Sequence, residues 1–244
     1  MGKNWTIKHS DNYIFHYMEN SLGEEHIDEI VRIQELCNKH ISKVLKVSMK
    51  DKIKYFLCNS REEVGASSGD KPRNRFSRMP DEIWAVYNES NKCIGYHEDA
   101  HIISYNTLGI PECIFIREGL AMYFEKVWFG IENRFWVHEY LRNNKYVDIG
   151  SLINNNEFCR LSDTLTYPIA GAFTEYLISV FGMDKFKRFY VQLSTLRTIG
   201  FKRNFKEVFQ QSLEDVEENF KNYILSIKPN NIIEKEISQN IVGL

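Results

Sequence analysis

The chain has 244 residues, 43% of them apolar and 26% charged, with 13 Gly and 5 Pro. That is enough chain for one large domain or two small ones, and too little Gly and Pro for long disordered linkers. A formal net charge of -2 gives no electrostatic reason to expect nucleic acid or an anionic membrane as partner, and no apolar run reaches the roughly 18 residues that would cross a bilayer.

The N-terminal residues lack the apolar stretch of a secretory signal. The five cysteines (Cys37, Cys58, Cys93, Cys113, Cys159) are odd in number and widely spaced. They argue against a disulfide framework and a Cys-rich zinc site, and for buried reduced thiols. A cytoplasmic protein is the expectation.

In chain order, Tyr13 to Met18 reads as a strand. Ser21 stands three before Glu24 as a capping box. Behind it, Ile27, Ile30, Val31, Cys37, Ile41, Val44 and Leu45 mark one face of a long helix. Ile53 to Cys58 reads as a second strand. Ser60 and Glu63 repeat the capping pattern for a short helix that Gly65 would end. Residues 66–80, with Lys71, Arg73, Arg75 and Arg78, read as an exposed basic loop.

Ile83 to Tyr87 reads as a third strand. Helices are expected over Ile94–Leu108, Ile116–Phe129, Asn133–Arg142, Ile169–Phe181, Asp184–Leu193 and Leu213–Ile227. Strands followed by helices indicate an α+β protein. It divides into an N-terminal α+β lobe at 1–93, a helical lobe at 94–228 and a tail at 229–244 of little pattern. No internal repeat is evident.

The chemistry concentrates in His97-Glu98-Asp99-Ala100-His101. On a helix, four residues put both imidazoles on one face, one turn apart, in reach of one ion. Glu98 lies about 100° round from His97, placed to act on a water instead of the metal. With seven His in 244 residues, chance makes this pattern in roughly one such chain in fifty. The apolar neighbours Ile94, Ala100, Ile102 and Ile103 suggest a buried helix. Two buried His and a Glu would cost several kcal/mol without partners.

A catalytic zinc needs a third protein ligand and an open position. Glu118 sits in the apolar stretch Ile114 to Glu125, after a break at Pro111.

HEDAH, Pro111 and then REGLAMYFE resemble the gluzincin (HExxH…E) metallopeptidases, most closely the bacterial peptidase MA-like group. The likeness continues through Tyr167 to Gly182 and into Phe205–Phe209 and Leu213–Ile224. It spans about residues 10 to 228, and only HEDAH and REGLA are chemically specific. The resemblance implies a zincin-like fold with the zinc helix between two lobes. It implies one Zn(2+) per chain held by His97, His101 and Glu118, Glu98 as general base, and a peptide or protein substrate. It would put an oxyanion donor at Tyr167, ahead of Tyr176 and Tyr123.

One departure stands out. Thermolysin-like members of that family carry an acidic residue four after the ligand Glu, and here that position is Met122, leaving Glu125, Asp99 and Glu175 as substitutes. Arg117 is expected to pair with a Glu and His138 to lie on the surface. Ile83 to Tyr87 could be the edge strand that docks peptide. The competing readings are a catalytically inactive zincin-fold binding module and a zinc hydrolase of a non-peptide amide. The oligomeric state is not legible.

Overall fold

The computed structural model describes residues 4–69, 71–195, 200–229, 233, 236 and 237. It is a mixed α+β structure whose backbone divides into two compact units, Met1–Thr107 and Leu108–Leu244. Most of the expected tail at 229–244 lies outside the described residues.

The first unit runs β1 (Thr6–His9), β2 (Tyr13–Tyr17), α1 (Leu22–Glu25), α2 (Ile27–Leu45), β3 (Ile53–Cys58), α3 (Arg61–Ser68), β4 (Arg75–Arg78), β5 (Glu82–Val86) and α4 (Tyr96–Leu108). The strands form one sheet in the order β1-β2-β3-β5-β4. β2, β3 and β5 run parallel, and the two outer strands are antiparallel to their neighbours. The register aligns Phe15 with Tyr55, Tyr55 with Ile83, and Leu57 with Ala85. All five are buried, as the two-residue period of a strand requires for one covered face.

Both Ser caps form, and each Glu reaches one residue further back than a capping box requires, to the amide before the cap. Ser21 Oγ accepts from the Glu24 amide at 3.2 Å, while Glu24 accepts from the Asn20 amide at 2.7 Å. Ser60 and Glu63 repeat this with Asn59. Each Ser satisfies an amide that the helix start leaves without a partner, and each Glu ties down the residue that leads into it. Behind the first cap the expected single helix is two, α1 and α2, meeting at His26.

Gly65 does not end α3. That helix runs on to Gly69, which is left-handed at φ 73°, the geometry glycine favours at a helix end. Gly65 instead permits a close approach: a Cβ there would meet the Lys71 carbonyl oxygen at 2.7 Å.

Two corrections concern the sheet edge. The basic stretch expected as a loop contains β4, with Arg75 opposite Ala85 and Phe76 opposite Trp84. The strand beginning near Ile83 is therefore interior, and β4 is an edge. β4 carries Arg75 and Arg78 at its two ends, and their charge masked the strand.

The second unit begins with α5 (Ile114–Glu125), followed by a small hairpin of β6 (Val127–Trp128) and β7 (Ile131–Glu132). Helices α6 (Asn133–Arg142), α7 (Ile149–Leu152), α8 (Asn155–Arg160), α9 (Asp163–Phe181), α10 (Met183–Thr195), α11 (Phe201–Phe209) and α12 (Leu213–Ser226) complete it. Phe173, Phe189, Phe205, Phe209 and Phe220 are buried in its core, with Phe205 and Phe209 rings 4.6 Å apart.

α5 and α9 approach closely because each offers a glycine. A Cβ on Gly119 would meet Thr174 Oγ1 at 2.3 Å, and one on Gly171 would meet Met122 Cβ at 2.7 Å.

α9 starts six residues before the expected Ile169, with Pro168 inside it. Proline lacks the N–H that would reach the carbonyl four residues back. That carbonyl belongs to Thr164, and the Tyr140 hydroxyl donates to it. The replacement donor comes from another helix, so local sequence does not reveal it. No helix among the described residues is long and apolar enough to cross a membrane.

Candidate metal centre

α4 enters through Gly95, whose φ of 127° lies outside the range ordinary side chains adopt. The Gln34 side chain on α2 holds it from both sides. Gly95 N donates to Gln34 Oε1 at 2.9 Å, and Gln34 Nε2 donates to the Gly95 carbonyl at 3.2 Å. The helix then buries eight consecutive residues, His97 to Ser104. A helix without a solvent face needs a reason for its polar side chains.

His97 and His101 are 5% and 6% exposed, with ring centroids 4.9 Å apart and nearly perpendicular. His101 also lies against the Tyr105 ring one turn on, at 5.2 Å. One ligand atom each from His97, His101 and Glu118 fall within 4.8 Å of one another. Two imidazoles and a carboxylate fit a catalytic zinc, and the same donors also accept other first-row cations.

Glu98 is buried, and its Oε1 lies 3.7 Å from Arg75 Nε. Arg75 belongs to β4, on the strand face shared with Ala85. It was read only as part of a basic loop.

Asp99 is fully buried on the other side of α4. Its Oδ2 accepts from the Tyr13 hydroxyl at 2.5 Å and from Gln34 Nε2 at 3.0 Å. Burial pushes the Asp99 carboxyl well above its usual range, against the pull of these two donors.

In the second unit, Asp163 opens α9 behind the cap residue Ser162. Burial first, and the Glu118 charge second, raise its carboxyl above the ordinary value. A second carboxylate therefore sits within electrostatic reach of Glu118. The Ser162 cap, which accepts from the Thr164 amide, sets the helix start six residues before the expected Ile169.

Met122, which replaces an acid, is fully buried against Gly171. Its carbonyl accepts from Asn133 Nδ2 at 3.1 Å. The position is core, so no carboxylate could stand there without disrupting the α5–α9 contact. Among the substitutes, Asp99 is committed to Tyr13 and Gln34, while Glu175 pairs with Lys126 at 2.9 Å.

Tyr167 packs its ring, tilted, against Trp128 at 5.3 Å and Phe158 at 6.0 Å. Tyr176 lies on Phe220 and Tyr223, and Tyr123 lies under Lys126. The Nε of Arg117, expected to pair with a Glu, is buried without a hydrogen-bond partner among the described residues. His138 is a correction: it is 6% exposed, with Nδ1 3.1 Å from Glu139. It follows Trp136 and Val137 into the buried face of α6. None of the five cysteines is in a disulfide, and Cys159 alone is exposed.

No protein-family model matches the chain, and no curated protein matches it.

Proposed function

We propose that this chain is a zinc-dependent peptidase of the gluzincin kind on a zincin-like fold. The observation that carries the reading is the convergence of His97, His101 and Glu118 ligand atoms within 4.8 Å, with Glu98 adjacent in α4. A bound zinc would supply Lewis acidity, polarising a peptide carbonyl and acidifying a water.

The chain's own residues do the rest. His97 and His101 offer neutral imidazoles from one helix face, and Glu118 offers a carboxylate. Glu98 takes the proton from the attacking water, the role of a positioned general base. Arg75 holds the Glu98 carboxylate from the β4 side. Tyr167 would donate to the developing oxyanion. Substrate backbone can add to the open edge of β4, since an edge strand presents unpaired main-chain groups.

The test is cleavage of a peptide library with a chelator control. Glu98→Gln keeps the ligands and should lower turnover by at least ~100-fold, the scale of lost general-base catalysis. A Glu98→Gln protein as active as its parent removes Glu98 from the mechanism. The inactive-module reading draws on one observation, the Arg75–Glu98 ion pair, and predicts zinc uptake with no chelator-sensitive cleavage by the parent.

A further inference from the structure

We propose that Asp99, Gln34 and Tyr13 form a rotational lock that sets the metal-facing side of α4. The inference rests on the metal reading above and adds positioning residues to it.

Asp99 stands two residues from each metal-candidate His. At about 100° per residue, it points opposite the line that bisects His97 and His101. It is therefore a back anchor and does not itself face the ion. The anchor is doubly tied. Asp99 Oδ2 accepts from Tyr13 on β2 at 2.5 Å and from Gln34 on α2 at 3.0 Å. Gln34 also grips both backbone groups of Gly95, at 2.9 and 3.2 Å. The Tyr13 hydroxyl lies 3.1 Å from the Gln34 carbonyl as well, so its single proton has two acceptors and the three residues form one connected unit. Tyr13, Gln34 and Asp99 are all 0% exposed.

One amide thus fixes where α4 starts, and one carboxyl fixes how far it is turned. A metal site tolerates only about 0.5 Å and 10–20° of misplacement. A rotation of ~10° moves a side-chain nitrogen ~6 Å from the helix axis by ~1 Å, so a lock on the far face acts directly on the ligands.

A purely structural network would move stability and leave metal affinity alone. The experiment therefore measures two quantities on the full chain: the melting temperature of metal-free protein, and zinc affinity by competition with a chromophoric chelator. Gln34→Leu and Asp99→Leu should weaken zinc about tenfold, the low end for loss of a residue supporting the ligands. Asp99→Asn keeps an acceptor for Tyr13 and Gln34 and should bind within about twofold of the parent. Tyr146→Phe, whose hydroxyl donates to Glu217 at 2.9 Å in the second unit, should lower the melting temperature with zinc affinity unchanged.

Parental zinc affinity in Gln34→Leu, or in the milder Tyr13→Phe should the leucine variants not fold, overturns the lock. A parent that takes up no zinc removes the metal reading and this proposal with it. That result is distinct from a parent and variants that bind equally.

Discussion

The two units bury polar groups alike but fix their helix contacts by different devices. The first places a connected polar group, Tyr13, Gln34 and Asp99, at the centre of its helix and sheet contacts. The second fills its interior with aromatic rings and lets α5 and α9 touch through Gly119 and Gly171. A polar core specifies orientation because each partner has few acceptable geometries. A glycine contact specifies distance, because any added atom collides. The metal candidates use both devices. His97 and His101 ride on the oriented helix, and Glu118 precedes the glycine that sets how near α5 lies to α9.

The largest effect should come from the glycine contact. Gly171→Ala puts a Cβ 2.5 Å from Asn133 Nδ2 and 2.7 Å from Met122 Cβ. Overpacking of this kind costs about 3 kcal/mol, read as a lower melting temperature. An unchanged melt would mean that the helices yield and that distance is not specified there.

A smaller effect is expected where the second unit does use a polar tie. Tyr140→Phe leaves the Thr164 carbonyl above Pro168 without its donor, at about 1–2 kcal/mol for a stranded buried group. Adding Pro168→Ala returns an N–H to that carbonyl and should recover most of the loss. No recovery in the double variant would separate the Tyr140 contact from the proline.

The smallest effect concerns pH and has opposite sign in the two units. Burial raises the Glu35 carboxyl, but donors on Asn12 and Ser10 outweigh it and hold the value below normal. Its stabilisation is therefore present above the unfolded value near ~4.3 and is lost as pH falls through the lower folded value. Burial raises Glu217, and donors from Ile149 and Tyr146 only partly offset it. Its favourable contribution is present below the unfolded value and is lost as pH rises through the higher folded value. In melts from about pH 3 to 8, Glu35→Gln should fall progressively behind the parent as pH rises, while Glu217→Gln should gain on it. Parallel curves for both variants would contradict the contrast.

The sequence was most legible where a signal is local. The two Ser caps, the α6 boundaries and the facing His97–His101 pair all follow from spacing within a few residues. It was least legible where the partner is distant. Pro168 is tolerated because Tyr140 supplies the missing bond from another helix. Gly65 is needed because Lys71 passes close, not because a helix ends. β4 was hidden by its arginines, one of which meets Glu98. Asp99 was one of three substitutes for the acid absent at Met122; its actual partners, Tyr13 and Gln34, stand 86 and 65 residues away and are not legible from HEDAH.

The most direct measurement of the central claim is the zinc content of purified, folded protein, compared with His97→Ala and Glu118→Ala variants. One zinc per parent chain, with both variants depleted at unchanged secondary structure, is the predicted result. A folded parent without zinc, or variants that retain it fully, would contradict the account.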